Sequence, residues 1–457
     1  MSINTINPAT AQVIQSYKLT TEIEINSVLD KSVTSQSRWQ ELSLSSRAKL
    51  FVNLAKSLRD NSETYASLIT TEMGKPIKQA RAEIEKCAWV CEHYAQNAEV
   101  YLQTRAIETD HKKSMVTYKP LGIILGVMPW NFPFWQVFRF SVPTMMAGNG
   151  VIIKMAENCL GSAGAIQQLY LQAGFPEYLF NHVIIDHNRT ANIISDSRIT
   201  GVSLTGSEQA GSIIGSCAAQ HLKKVVLELG GNDPYIILAD ADPAKAAQIC
   251  LKSRLNNTGQ VCIAAKRFIV VEQVIEQFKQ HLLDELMNFE VGDPTIEKYN
   301  IGPMARRDLR ESLHQQVVKS IELGAKCTMG GLISDENQPG FYYPITLLEN
   351  IKPGMPAYHE ELFGPVISII NAKDEDDAIR IANDSQYGLA AAVFTSDLKK
   401  GQYLAENKIQ AGTVAVNNLV SSDPRLPFGG IKRSGYGREL GMEGMHEFVN
   451  IKTIIVD

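Results

Sequence analysis

The sequence predicts an α/β protein in which two series of alternating strands and helices follow a mostly helical N-terminal region. Residues 21–110 carry apolar side chains at helical spacing, and the stretch 47–59 contains neither Gly nor Pro. Short, β-branched apolar runs then alternate with helical segments, both before and after residue 231. Such alternation is typical of open parallel sheets with right-handed crossovers. A chain of 457 residues is long enough for two or three domains.

The elements of the two series can be placed in chain order. The helical region is predicted to break at residues 72–76 and to resume as a long helix at 79–104. The first series has a predicted helix at 162–173 and predicted strands at 121–127, 150–154 and 201–204. The second has predicted helices at 243–255 and 276–289 and predicted strands at 235–238, 268–271, 365–370 and 389–394.

The last residues, 449–456, form a short β-prone run after a loop rich in Gly and Arg. A terminal strand of this kind often pairs with the sheet edge of another subunit, because an unpaired edge offers free backbone donors and acceptors. Packing on the surface of its own chain is the alternative.

Composition excludes several classes of protein. Apolar residues make up 44% and charged residues 20%, which is typical of a globular protein and not of a disordered one. The net charge of -5 is mild and no block of Lys and Arg stands out, so no nucleic-acid partner is expected. No uninterrupted apolar window reaches the ~18 residues that a membrane helix needs.

The seven cysteines are scattered without a paired framework, and no leader sequence is visible. We therefore expect a reducing, cytoplasmic location. Cys87 and Cys91 lie four residues apart in a helical stretch, with His93 as the only further ligand nearby. We expect these residues to pack in or on a helix and expect no metal site.

A glycine turn follows the predicted strand at 201–204. Gly206 and Ser207 lie between this strand and a helix, where free backbone N–H groups and the helix dipole can bind phosphate. An ordinary strand-to-helix turn explains the pattern equally well. Lys154 ends the preceding strand, and Glu157 follows it. A carboxylate at that point can bind an adenosine ribose and repel a 2′-phosphate, which favours NAD over NADP; a solvated Glu at a helix start is the alternative.

Three residues suggest acyl chemistry. Cys262, in the segment 256–262, is a candidate nucleophile, although most single cysteines are small buried apolar residues. Only the thiolate attacks, and no His lies near it in sequence, so a base must come from elsewhere in the fold. Glu228 precedes Gly230 and Gly231 and is either that base or a satisfied polar residue at a strand end. Asn131, held between two prolines, could donate to an oxyanion or could stabilise a turn.

These segments together resemble the aldehyde dehydrogenase superfamily over almost the whole chain. The motifs that carry the resemblance occur in this order: Asn7-Pro8-Ala9-Thr10, Met128-Pro-Trp-Asn-Phe-Pro133, Lys154-x-x-Glu157, Thr205-Gly-Ser207, Leu227-Glu-Leu-Gly-Gly231, Gly259-Gln-Val-Cys262, Glu360-Glu-Leu-Phe-Gly-Pro365 and Pro427-Phe-Gly-Gly430. The resemblance implies a Rossmann-like NAD(P)-binding domain (1–105 and 121–230), an α/β catalytic domain (231–440) and a small β oligomerisation arm (106–120 and 441–457). A homodimer or homotetramer is implied as well.

The resemblance also implies a mechanism. Cys262 attacks an aldehyde to give a thiohemiacetal, hydride passes to the nicotinamide, and water releases a carboxylic acid from the thioester. Asn131 and the backbone N–H of Cys262 form the oxyanion hole, and Glu228 acts as the general base.

For the cofactor, NAD with NADP possible, the resemblance assigns seven residues. Lys154 and Glu157 hold the adenosine ribose, and Gly206 and Ser207 contact the pyrophosphate. The remaining three bind at or near the nicotinamide end: Glu361 at the ribose, Phe363 beside the ring, and Trp130.

Within the superfamily the sequence is most similar to bacterial succinate-semialdehyde dehydrogenases, chiefly in residues 128–139. Trp135 and Arg139 are predicted to share a helix face, since residues i and i+4 are neighbours. The Arg139 guanidinium could bind a substrate carboxylate through two hydrogen bonds, or it could pair with a protein carboxylate. Leu419 lies where relatives can place a small polar residue, which favours a longer or less polar aldehyde.

Other functions remain open at this point. A broad aliphatic or aromatic aldehyde dehydrogenase is one, and an NAD-binding scaffold with decayed catalysis is another. A coenzyme-A-acylating relative would also form a thioester, but such relatives commonly lack the equivalent of Glu228.

Overall fold

The computed structural model describes residues 2–333 and 339–457. Its helices, in chain order, are α1 (Glu22–Trp39), α2 (Leu44–Asp60), α3 (Ser62–Met73), α4 (Ile77–Tyr101), α5 (Trp135–Met146), α6 (Leu160–Gln172), α7 (His187–Ser195), α8 (Glu208–Gln220), α9 (Pro243–Leu255), α10 (Ile275–Leu286), α11 (Arg307–Glu322), α12 (Pro356–His359), α13 (Glu375–Asn383), α14 (Leu398–Asn407) and α15 (Gly441–His446). Short 3₁₀ turns cover Glu157–Cys159 and Asn256–Gly259.

The strands, in chain order, are β1 (Ser2–Ile6), β2 (Val13–Lys18), β3 (Arg105–Ile107), β4 (Lys113–Pro120), β5 (Ile123–Met128), β6 (Gly150–Met155), β7 (Phe180–His182), β8 (Ile199–Thr205), β9 (Lys224–Glu228), β10 (Pro234–Ile237), β11 (Arg267–Val271), β12 (Lys326–Met329), β13 (Thr346–Glu349), β14 (Val366–Ala372), β15 (Tyr387–Gly388), β16 (Ala390–Phe394), β17 (Thr413–Val416), β18 (Ile431–Lys432), β19 (Gly435–Tyr436) and β20 (Val449–Val456).

The first sheet has six strands in the order β19-β9-β8-β5-β6-β7. Strands β5 to β9 pair in parallel, and only β19 runs antiparallel, beside β9. Helices α2 to α6 pack on one face, and α1, α7 and α8 on the other. Because both faces are covered, the central strands β5 and β6 are almost wholly buried. Because β5, β6 and β8 are parallel, their carboxyl ends lie at the same edge of the sheet.

The second sheet has seven strands in the order β12-β13-β14-β11-β10-β16-β17. All its pairs are parallel except β12 with β13. A separate apolar core joins this sheet to helices α9, α10, α13 and α14. Two mostly parallel sheets packed against helices confirm the predicted α/β class.

A third, antiparallel sheet has the order β20-β4-β3. Strand β20 pairs with β4 of its own chain along its full length, from Val449 opposite Pro120 to Val456 opposite Lys113. The segments 106–120 and 441–457 thus share a sheet. Because β20 is an edge strand, its outer side remains open within this chain, and Ile451 and Ile455 are exposed on it. A subunit contact at this edge stays a prediction.

The predicted elements agree with these bounds to within a few residues, and 243–255 and 449–456 match α9 and β20. The domain boundaries stay a prediction. One strand crosses the predicted boundary: β19, from the predicted catalytic segment 231–440, joins the first sheet with Gly435 opposite Glu228. Among the described residues, no helix is long and apolar enough to cross a membrane, and no group of His, Cys, Asp and Glu is arranged to hold a metal ion.

Candidate active site

A cavity of about 440 Å³ is lined by residues from both sheet domains. Helices α4 and α5 contribute one wall, and α9 with the segment around Cys262 contributes another. The loop that carries Leu419 closes a third side. Four residues that the sequence analysis selected line this one space: Cys262, Trp135, Arg139 and Leu419. A mostly apolar cavity of this size is typical of a small-molecule site.

The segment that carries Cys262 is held in an unusual backbone conformation. Asn257, Thr258 and Gly259 all have positive φ, at 51°, 57° and 75°. A Cβ on Gly259 would lie 2.2 Å from the carbonyl oxygen of Gly364, so only Gly fits there. The left-handed conformation costs an ordinary residue about 1–2 kcal/mol, so the surrounding structure must enforce it at Asn257 and Thr258.

Hydrogen bonds from buried side chains enforce this turn. The Asn257 backbone N–H donates to Gln79 Oε1 at 2.7 Å, and its side-chain amide donates to the Asn131 carbonyl at 2.7 Å. Thr258 Oγ1 accepts from the Gly302 N–H at 3.0 Å. The turn therefore fixes the segment that carries Cys262 to the loop that carries Asn131.

Asn131 lies directly beside the nucleophile segment. Its side-chain Nδ2 donates to the Gln260 carbonyl at 3.1 Å, and the residue is only 5% exposed. An amide nitrogen carries two hydrogens, so one N–H remains for another acceptor. The structure thus places Asn131 against the segment that carries Cys262, a position compatible with an oxyanion hole.

A buried ion pair between Lys75 and Glu83 stabilises the residues that directly follow the Asn131 loop. Lys75 and Glu83 pair with both side chains fully buried. Glu83 Oε1 also accepts the backbone N–H groups of Phe134 and Trp135, each at 2.9 Å. The Lys75 ammonium lies 3.6 Å from the ring centre of Phe132. This pair fixes the start of α5, and sequence reasoning missed it.

Cys262 is partly exposed as a residue, yet its thiol is largely surrounded by protein. Burial raises the pKa of the thiol to about 11, and the nearby charges of Arg139 and Lys266 oppose that shift. Lys266 donates to the Cys262 carbonyl and, at 3.0 Å, to the Val261 carbonyl. It also pairs with Glu361 Oε1 at 3.2 Å. Lys266 thus joins the nucleophile segment to a predicted cofactor residue.

Glu228 ends β9, only 2% exposed, and neither of its carboxyl oxygens has a hydrogen-bond partner among the described residues. Burial raises its pKa well above the usual range, Arg139 opposes the shift and Glu439 adds to it. A buried carboxyl without partners is held neutral, since an unpaired charge is costly there. In this conformation Glu228 lies with Arg139 and Glu439 and makes no hydrogen bond to Cys262.

The environment of Arg139 differs from the predicted substrate clamp. The side chain is buried and forms an ion pair with Glu439. Its Nη2 donates to Thr205 Oγ1 at 3.3 Å, and its guanidinium lies 4.6 Å from the ring centre of Phe428. The alternative left open by the sequence, pairing with a protein carboxylate, is the arrangement found. Arg139 borders the cavity, but its positive charge is already balanced by the carboxylate of Glu439.

The turn at Gly206 and Ser207 suits a phosphate. Ser207 caps α8 by accepting the Ala210 N–H at 3.3 Å, and its side chain is exposed at the helix start. A Cβ on Gly206 would meet nothing closer than Leu204 at 3.7 Å, so its surroundings are open. An open N-terminus with a capped first turn can accept a pyrophosphate.

The other predicted cofactor residues surround the same sheet edge. Lys154 is buried at the end of β6, and burial lowers its pKa while Glu157 opposes the shift. Glu157 is exposed one turn later. The rings of Trp130 and Phe363 meet edge-on with centres 5.8 Å apart. Next to Glu157, the buried amide of Asn158 has no hydrogen-bond partner in the described part of the chain, as at a site built for a polar ligand.

Glu361 is positioned by two contacts, with Lys266 and with the Gly231 N–H at 3.1 Å. A Cβ on Gly230 would lie 2.4 Å from Glu361 Oε2, which explains the glycine. The residues present at this edge therefore fit a dinucleotide.

Comparison with known proteins identifies the family. The model of the aldehyde dehydrogenase family matches residues 1–454. The chain belongs to this family. The predicted resemblance is thereby confirmed.

Similar proteins include a probable succinate-semialdehyde dehydrogenase [NADP(+)] of Synechocystis, 45% identical over 99% of both chains. Another is the succinate semialdehyde dehydrogenase [NAD(P)+] Sad of Escherichia coli, 42% identical over 99% of this chain and 97% of that one. Among solved structures, the succinic semialdehyde dehydrogenase of Streptococcus pyogenes with NADP+ superposes with a TM-score of 0.96, at 35% identity and 99% coverage of both chains. The structure of Gox0499 reaches 0.98, at 37% identity and 100% coverage of both.

Several residues of this aldehyde dehydrogenase site were missed from the sequence. Lys266 follows Cys262 by four residues, so its closeness in sequence could have indicated that it lies near the thiol. Glu439, Lys86 and Ser422 gave no local signal, because they are remote in sequence and meet the site only through the fold.

The thiol of Cys262 should react slowly with iodoacetamide at neutral pH in the protein without cofactor. Because burial raises its pKa to about 11, the thiolate fraction increases with pH up to that value. We expect the alkylation rate still to increase at about pH 10, where a free thiol with a pKa of about 8.5 has reached its plateau. Mass spectrometry of the Cys262 peptide measures this rate. A plateau below about pH 9 contradicts the expectation.

Proposed function

We propose that this protein oxidises succinic semialdehyde to succinate with NAD or NADP through a thioester on Cys262. The main supporting observation is the cavity that Cys262 shares with cationic side chains, next to a loop whose Asn131 amide is bonded to the segment that carries Cys262. Relatives that are 42% and 45% identical across the chain are named for the same reaction, which supports the substrate.

The residues suggest how the first step proceeds. The Cys262 thiolate attacks the aldehyde carbon, and the carbonyl oxygen gains negative charge. Asn131 and the Cys262 backbone N–H are the donors that would bind this oxygen. One positioned donor of this kind contributes about 3 kcal/mol to the transition state. Arg139 and Lys266 favour the thiolate electrostatically.

A bound nicotinamide dinucleotide supplies the oxidant. Glu228 then removes a proton from the water that attacks the thioester. Its raised pKa makes it a better base than an ordinary carboxylate, provided that it has lost its proton first. The carboxyl makes no hydrogen bond to the described residues, so a turn of the side chain towards the thioester would break none.

Glu157 supports a preference for NAD, because an exposed carboxylate beside the adenosine ribose repels a 2′-phosphate. The names of the relatives, NADP(+) in one and NAD(P)+ in another, show that both cofactors occur among similar proteins.

The variant Glu157→Ser should therefore use NADP better. We expect the kcat/KM ratio of NADP to NAD to rise by roughly tenfold, the equivalent of about 1.4 kcal/mol for one removed repulsion. Steady-state kinetics with each cofactor at saturating aldehyde measure it. Equal use of NAD and NADP by the unmodified protein contradicts this role of Glu157.

An aldehyde panel tests the proposed substrate. The panel comprises succinic semialdehyde, glutaric semialdehyde, butanal and benzaldehyde, each assayed with NAD and with NADP. We expect the highest kcat/KM with succinic semialdehyde. The same products with and without coenzyme A would exclude an acylating reaction.

A broad-specificity aldehyde dehydrogenase is the second candidate. Leu419, Phe132, Trp135 and Phe289 line the cavity, and these apolar side chains suit an uncharged aldehyde. A preference for butanal or benzaldehyde in the panel would favour it. The absence of turnover with every aldehyde would instead favour a scaffold with decayed catalysis.

We also propose a homo-oligomer in the cytoplasm. The open edge of β20 supports assembly through a second copy of the chain. The cysteines are all free thiols, which supports a reducing compartment.

A further inference from the structure

We propose that Lys86, together with the hydroxyl of Ser422, binds the carboxylate of the aldehyde substrate inside the cavity that holds Cys262. This inference rests on the proposed oxidation of a carboxylated aldehyde. It replaces Arg139, the residue that the sequence suggested for this task.

Lys86 reaches the cavity from α4. It lines the same space as Cys262, and its Nζ donates to Ser422 Oγ at 2.8 Å. The ammonium also lies 4.4 Å from the ring centre of Trp135, which fixes its direction. A cation held by a hydroxyl and an aromatic ring is positioned, yet it keeps N–H groups free.

The charge of Lys86 is unmatched. No salt bridge joins it to a carboxylate within residues 2–333 and 339–457, in contrast to Arg139, which pairs with Glu439. The two carboxylates whose charges raise the pKa of Lys86 are engaged elsewhere: Glu83 pairs with Lys75, and Asp423 pairs with Arg425 at 2.6 Å.

A half-buried cation without a counter-ion favours an anionic ligand. Burial and the neighbouring Arg139 lower the pKa of Lys86 to about 8, so the ammonium is already poorly stabilised. A bound carboxylate would reverse that shift and would also accept a hydrogen bond from Ser422. Another lining cation, Lys252, is exposed, so solvent already screens its charge.

The variant Lys86→Met tests the proposal, since its unbranched side chain keeps the contact with Trp135 and removes the charge. We expect the kcat/KM ratio of succinic semialdehyde to butanal to fall by about 10- to 100-fold. Lys86→Arg should restore most of the ratio, and Ser422→Ala should lower it by about threefold to tenfold. Succinate, used as an inhibitor against the aldehyde, should bind Lys86→Met correspondingly more weakly.

The matched control is Lys78→Met on the same helix. Lys78 is exposed and does not line the cavity, so its loss should leave both the ratio and the succinate inhibition unchanged. If the unmodified protein prefers succinic semialdehyde and Lys86→Met keeps that preference, Lys86 is not the binding residue and the proposed function stands. If the unmodified protein shows no preference for the carboxylated aldehyde, both proposals fail.

Discussion

Aldehyde oxidation is expected to stop when Cys262 is replaced by Ala. Among the described residues, Cys262 is the one cysteine that lines the cavity, and the proposed thioester needs a thiol. Loss of a covalent nucleophile reduces kcat by about 10⁴-fold or more in enzymes of this kind. The measurement is reduced cofactor formed at saturating aldehyde, together with a fluorescence titration of NAD binding. Cofactor binding should persist, because the predicted dinucleotide residues do not depend on the thiol.

Cys327→Ala is the control for this experiment. Cys327 is a half-exposed free thiol on β12, at the edge of the second sheet, and it does not line the cavity. This variant should keep normal turnover. Full turnover in Cys262→Ala would refute the thioester mechanism altogether, whichever aldehyde is used.

The second large effect is expected for Glu228→Gln. If Glu228 activates water, the variant still forms the thioester but releases it slowly. We expect a first burst of reduced cofactor equal to the enzyme concentration, followed by a steady rate lower by about 10²- to 10⁴-fold. Rapid-mixing absorbance at the reduced-cofactor band measures both phases, and intact-protein mass spectrometry detects the acyl adduct.

The Glu228→Gln variant also distinguishes a loss of catalysis from a loss of stability. Glu228 is buried without a hydrogen-bond partner in the described structure, so replacing its carboxyl by a neutral amide of equal size should not destabilise the fold. Thermal unfolding of Glu228→Gln should therefore match the unmodified protein. A slow steady rate without a burst would show that Glu228 acts before the thioester forms, as a base for the thiol.

Most of the fold could be predicted because its signals are local. Helix α9 begins with a capping Asp242 followed by Pro243, and strands β5 and β6 consist of apolar residues and Gly apart from Lys154. The short strands β15, β18 and β19 have two residues each and were not predicted. Their pairing is decided by distant parts of the chain, which no local pattern records.

The candidate site likewise contains residues that local motifs indicate and residues that only the tertiary structure reveals. Cys262, Glu228 and Asn131 were selected through motifs, and the turn at Asn257 links the segment that carries Cys262 to the loop that carries Asn131. The partner of Arg139 could not be found, because Glu439 lies 300 residues later in the sequence and meets it only when β19 joins β9. Counter-ions of buried charges depend on tertiary packing, so the sequence could indicate Arg139 as a cavity residue but left open whether it binds a substrate carboxylate or a protein carboxylate.

The antiparallel strand β19 has a consequence for the order in which the enzyme matures. Gly435 pairs with Glu228, Leu229 donates to the Ser434 carbonyl at 3.0 Å, and Glu439 lies beside the same carboxyl. A growing polypeptide therefore contains Cys262 well before the residues that surround the Glu228 carboxyl have been added. The surroundings of the Glu228 carboxyl are therefore complete only when residues 434–439, near the end of the chain, have joined the first sheet.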